Sequence, residues 1–128
     1  MKRIAIVDDE PDITVVLKKG LEQHGFSVDT FNDPEDALSG FGPDLYDLMI
    51  IDIRMPRING FDLYRELKKR DGNVRVCFLT AFEIYYEEFS KIFPNIDVRA
   101  FVRKPVSIAN LVKQINSTID GQGQTGGL

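Results

Sequence analysis

Apolar residues in this chain follow two alternating rhythms, short unbroken runs and helical spacings. Ile4-Ala5-Ile6-Val7, Leu48-Met49-Ile50-Ile51 and Val76-Cys77-Phe78-Leu79 are continuous. Runs of this length fit strands covered on both faces. They predict strands over Arg3 to Asp8, from Leu48 to an end at Asp52, and over Val74 to Thr80, while Phe26, Val28 and Phe31 and the segment Val98 to Val102 make two shorter ones. The intervening segments change period. After Pro11, Ile13, Val16, Leu17 and Leu21 recur on one helical face until Gly25. Asn32-Asp33-Pro34 starts a second helix that carries Ala37, Leu38 and Phe41 inward and ends at Gly42-Pro43. Phe61, Tyr64 and Leu67 place a third helix up to Asp71-Gly72, and a fourth begins near Phe82 and runs through Phe89 towards Phe93-Pro94. Ser107 caps the last, whose inner face is Ile108, Leu111, Val112, Ile115 and Ile119. Prolines in first helical turns and polar caps before them set these starts.

Strands alternating with helices predict an α/β fold, a doubly wound, flavodoxin-like five-stranded parallel sheet with five helices, because parallel neighbours need right-handed crossovers. The expected strand order is 2-1-3-4-5, with the order reversing between the first and third strands, where ligands collect outside the carboxyl ends. Residues 1–120 form one domain in this reading. Residues 121–128, GQGQTGGL, have no periodicity and are expected to be a flexible tail, a linker stub or an expression scar.

Composition narrows the class. The chain has 128 residues, 43% hydrophobic and 28% charged, with a formal net charge of −4. That is globular, and it opposes nonspecific binding to nucleic acid, whose phosphates demand a basic face. No apolar run reaches the ~20 residues of a membrane span, so a cytoplasmic location without a membrane partner is expected. The single cysteine, Cys77, lies inside an apolar run and reads as a buried core thiol, and the single histidine, His24, excludes a multi-histidine metal site.

Four of the five strands run into a polar or charged group. The first runs into Asp8-Asp9-Glu10, the third into Asp52, the fourth into Thr80 and the fifth into Arg103-Lys104-Pro105. Taken alone, an aspartate at a strand end is most often a turn residue. Together, Asp8, Asp9 and Asp52 would repel one another unless a cation sat among them, and an all-oxygen set suits Mg²⁺ rather than zinc. Mg²⁺ implies phosphate, which Lys104 and Thr80 could also hold if Asp52 were the nucleophile.

On these residues the chain resembles the receiver domain of two-component response regulators over residues 1 to about 120. IVDDE supplies Asp8 and Asp9; IDIRMPRING supplies Asp52, Met55, Pro56 and Gly60; FLTA supplies Thr80 and Ala81; and AFVRKP supplies Phe101, Lys104 and Pro105. The resemblance implies that Asp52 accepts a phosphoryl group from the phosphohistidine of a sensor histidine kinase or a phosphotransfer protein. It implies that Asp9, Asp52 and the Arg54 carbonyl bind Mg²⁺ with help from Asp8, and that Lys104 pairs with Asp52. It further implies that Thr80 and Phe101 act as switch residues that remake an output face for a downstream effector, and that the bond before Pro105 is cis. Arg54 and Phe82 stand where the family tunes water access to the acyl phosphate, and their bulk implies slow self-dephosphorylation.

Phe82, Tyr85, Tyr86 and Phe89 exceed what one buried stripe uses, so the fourth helix, last strand and last helix are expected to offer a partner or dimer face. Three rival readings exist. A phosphohydrolase of the haloacid dehalogenase type needs a second aspartate where Arg54 stands. A nucleotide-binding flavodoxin-like module needs a phosphate cradle where Asp8-Asp9-Glu10 stands. A receiver-like interaction module that is never phosphorylated is the third.

Overall fold

A computed structural model of the chain describes residues 1–80 and 101–120. Its five strands are β1 (Arg3–Val7), β2 (Ser27–Phe31), β3 (Leu48–Asp52), β4 (Val76–Thr80) and β5 (Phe101–Arg103). They form one parallel sheet in the order β2-β1-β3-β4-β5. Four helices stand among the described residues, α1 (Pro11–Gln23), α2 (Pro34–Gly40), α3 (Gly60–Arg70) and α4 (Ile108–Asp120). The helix expected after Thr80, with Phe82, Tyr85, Tyr86 and Phe89, lies outside the described residues, as does the tail from Gly121. No helix among the described residues is long and apolar enough to cross a membrane.

Strand side chains alternate between two cores, which is why the runs are apolar at every position. Ile4, Ile6, Ile50 and Leu79 face α1 and α4, where Leu17, Leu21, Leu111 and Ile115 meet them. Ala5, Val7, Ile51 and Phe78 face the opposite way, towards Ala37 of α2 and Leu63, Tyr64 and Leu67 of α3. Cys77 is fully buried in β4, and that burial pushes its thiol up to about 12.

Polar side chains cap three of the helix starts. Asp33 caps α2 by accepting from Glu35 N–H, Asn59 caps α3 by accepting from Asp62 N–H, and Ser107 Oγ accepts from Asn110 N–H at the start of α4. Past the end of α1 the chain reverses through Gly25 at φ 87°, a left-handed conformation natural to glycine.

Three expectations need correction. Val16 is 61% exposed and Thr14, at 2%, takes the inner position instead, because Thr14, Leu17 and Leu21 keep the spacing that Val16 breaks. The second helix ends at Gly40, so Phe41 is its C-cap, half-buried against the second core instead of carried within the helix. Strand edges also moved inward. β1 ends at Val7, and β4 starts at Val76 because Val74 is held in a turn by Asp71 C=O at 3.1 Å. Of the predicted fifth strand, Phe101 and Val102 are in β5, and residues 98–100 lie outside the described set.

Candidate functional site

Strand register assembles the rim. Val7 is level with Ile51, so the next residues, Asp8 and Asp52, leave β1 and β3 side by side. Asp52 is level with Leu79 and Thr80 with Arg103, which brings Thr80 and Lys104 to the same edge one step further on. Lys104 N–H donates to Thr80 C=O at 2.7 Å, fixing the point where β5 leaves the sheet. The Lys104-Pro105 bond is cis.

Asp8 is 0% exposed and Asp52 5%, burial that carboxylates tolerate only with compensation. Lys104 supplies part of it. Its Nζ stands 2.7 Å from Asp8 Oδ2, 3.3 Å from Asp52 Oδ1 and 3.5 Å from Glu10 Oε1. The ammonium is therefore nearer Asp8 than Asp52, the partner expected for it. Burial works against the lysine's charge, but Asp8 and Asp52 outweigh it and hold its pKa above the ordinary value. One ammonium is not enough for both acids. Burial and the neighbouring Asp8 charge push Asp52 up from 3.8 to about 6, against the pull of Lys104.

The remaining deficit has a direction. Asp8 Oδ1 accepts from Glu10 N–H at 2.9 Å, whereas the buried Oδ2 has charge beside it but no aligned hydrogen bond. Carboxylate oxygens of Asp8, Asp9 and Glu10 lie within 4.8 Å of one another, with Asp9 half-buried and Glu10 exposed. Asp52 stands outside that cluster. An all-oxygen, net-negative cluster of this kind fits a hard divalent cation, which the carboxylates of Asp8, Asp9 and Glu10 are close enough together to hold. His24 caps the far end of α1 and Cys77 is sealed in β4, so neither contributes.

Around this centre, Arg54 is exposed on the loop leaving β3, and Met55 is tucked into the core beneath it. Arg57, at φ 69°, pairs with Asp33 and ties that loop to the start of α2. Gly60 N–H donates to Ile53 C=O at 2.7 Å, and a Cβ on Gly60 would meet Asp52 O at 2.5 Å, so α3 can press this close only with glycine there. Thr80 is buried at the rim, and Phe101 is buried with its ring 5.5 Å from Phe78, which also contacts Phe61 and Tyr64 edge-on. Phe82 lies outside the described residues.

Sequence reasoning overlooked three side chains here. Glu10 reaches Lys104 across 94 positions of sequence. Asn32 Nδ2 donates to Asp8 C=O at 2.8 Å and to Thr14 Oγ1 at 3.0 Å. The advance signals were the acid following Asp8-Asp9 and an amide residue directly after the second strand.

The family profile of the response regulator receiver domain matches residues 4–116. The response regulator SaeR of Staphylococcus aureus is 32% identical over 119 residues, 93% of this chain and 51% of that protein. This chain thus spans about half the length of the curated relatives it matches. Response regulator TrrA of Thermotoga maritima, solved in complex with Mg²⁺-BeF, superposes with a TM-score of 0.78 at 34% identity, covering 92% of this chain and 99% of that one. In the crystal structure of histidine kinase ThkA in complex with TrrA, the matched chain has a TM-score of 0.74 at 33% identity, with 93% and 99% covered.

Proposed function

The chain belongs to the response regulator receiver domain family, and on that premise we propose that Asp52 takes up a phosphoryl group from the phosphohistidine of a sensor kinase or phosphotransfer protein. The observation that carries this reading is Lys104, whose ammonium bridges the buried carboxylates of Asp8 and Asp52 at 2.7 and 3.3 Å. With a pKa of about 6, Asp52 is mostly ionised at neutral pH and available as a nucleophile. As its oxygen forms the new bond to phosphorus, the bond to the donor nitrogen breaks. Lys104 then exchanges one anionic partner for another, since a phosphoryl oxygen replaces the carboxylate charge beside it. Thr80, at the same rim, offers a hydroxyl to a second phosphoryl oxygen.

Asp8, Asp9, Asp52 and the Arg54 carbonyl are the proposed ligands of Mg²⁺, which when bound supplies the positive charge that offsets both the acids and the incoming phosphoryl group. Thr80 and Phe101 are the proposed switch pair. Phe101 already lies inward against Phe78, so the movement left to it is small. Kinase docking, a downstream effector, a cytoplasmic setting and a dimer face at β5 and α4 with the segment before them belong to the same proposal. So does slow self-dephosphorylation, tuned by Arg54 and Phe82. TrrA, which has been solved with Mg²⁺-BeF and with a kinase, supports the cation and the partner class.

The test is incubation with a small phosphodonor and Mg²⁺, followed by intact mass. The parent gains one phosphoryl group and Asp52→Asn gains none. A parent that gains nothing leaves the unphosphorylated interaction module as the better reading. After donor removal, the same measurement reads the lifetime of the acyl phosphate, and an unchanged lifetime in Arg54→Asn removes Arg54 from the hydrolysis step.

A further inference from the structure

We infer that Asn32 is a positioning residue for the cation site, its carboxamide fixing the peptide that joins Asp8 to Asp9. This inference rests on reading that acidic turn as the Mg²⁺ site. β1 and β2 run parallel and stop together at Val7 and Phe31, and the ladder continues one step beyond them. Asp8 N–H donates to Phe31 C=O at 3.0 Å, and Asp8 C=O accepts from Asn32 Nδ2 at 2.8 Å. Both polar groups of the Asp8 backbone are thus held by consecutive residues at the end of β2.

The amide has only one workable orientation, because a carbonyl can accept but not donate. Its nitrogen also reaches Thr14 Oγ1 at 3.0 Å, and that hydroxyl, which is buried, donates onward to Pro11 C=O at 3.0 Å. A chain of bonds therefore links the end of β2, the acidic turn and the first turn of α1. On the other side, Glu10 N–H holds Asp8 Oδ1 at 2.9 Å. Rotating the Asp8-Asp9 peptide would break the bond to Asn32 and swing the Asp9 carboxylate away from that of Asp8. An aspartate at position 32 has the same shape but would turn an acceptor towards the Asp8 carbonyl. Groups that orient ligands from behind typically change metal affinity by about tenfold or more when removed.

The test is calorimetric titration of the whole chain with Mg²⁺, with Mn²⁺ titration followed by electron paramagnetic resonance as a second readout. Asn32→Ala and Asn32→Asp should each weaken binding by about tenfold. Thr14→Val should weaken it as well, and Thr14→Ser, which restores the hydroxyl, should recover it; this pair decides the matter if the Asn32 variants do not fold. Ile119→Val, a core change in α4 remote from the turn, should lower Tm without changing affinity. Asn32 and Thr14 variants that bind like the parent overturn the inference and leave the cation site intact. Ile119→Val losing affinity in step with its Tm also overturns it, since the effect is then general instability. A parent that binds no Mg²⁺ overturns both this inference and the reading of the turn beneath it.

Discussion

Asp52 is the residue on which burial and chemistry conflict. Held at about 6, its carboxyl binds a proton more readily in the folded chain than at its ordinary value of 3.8. Between those values the native state carries more protons than the unfolded one, so this group's contribution to stability falls as pH rises through the window and stays low above it. Without divalent cation, Asp52→Asn should therefore be more stable than the parent at pH 7, on the order of 2 kcal/mol, and nearly equal to it near pH 4. Urea melts of both proteins at the two pH values measure this, and a variant less stable at pH 7 contradicts it. Asp52 and Lys104 were legible in the sequence because one ends a strand and the other directly follows one. Asn32 was not, because a polar residue beside a strand end declares nothing until register decides which carbonyl it faces, and Thr14 was not, because its place in α1 faces Asn32 only once the helix packs on the sheet.

Between elements, the tightest constraint is where α3 meets the end of β3. The Cβ of Gly60→Ala would fall 2.5 Å from Asp52 O and 2.9 Å from Ile53 Cα, both backbone atoms that cannot swing aside. Overpacking of this kind costs about 1–3 kcal/mol, and it should also slow phosphoryl uptake by shifting the turn that carries Asp52. Gly72→Ala, with nothing within 4 Å of its new methyl, is the control and should melt like the parent in a denaturant series. Equal melting by the two variants would show that α3 gives way at no cost. Element identity was read well where spacing was regular, as in α4, where Leu111, Ile115 and Ile119 are all buried. It was read less well in α1, where apolar character drew Val16 inward and the phase of the helix put Thr14 there.

For the molecule as a whole, a cation that binds the folded rim and not the unfolded chain must raise stability, by about 2.7 kcal/mol at a hundredfold excess over Kd. Mg²⁺ should accordingly raise the parent's Tm, chelation should reverse the rise, and Asp9→Asn should lose most of it. A Tm indifferent to Mg²⁺ in the parent would argue against the cation site. The sequence by itself determined the period of each segment, hence the five strands and the four helices among the described residues, and the polar residue on which each long strand ends. Those are local properties, set by where side chains point along one stretch of backbone. Only the tertiary structure decided that Lys104 lies closer to Asp8 than to Asp52, that Glu10 joins them, and that Asn32 donates to the Asp8 carbonyl. Those relations depend on register between strands distant in sequence, which is fixed when the two cores pack on opposite faces of the sheet.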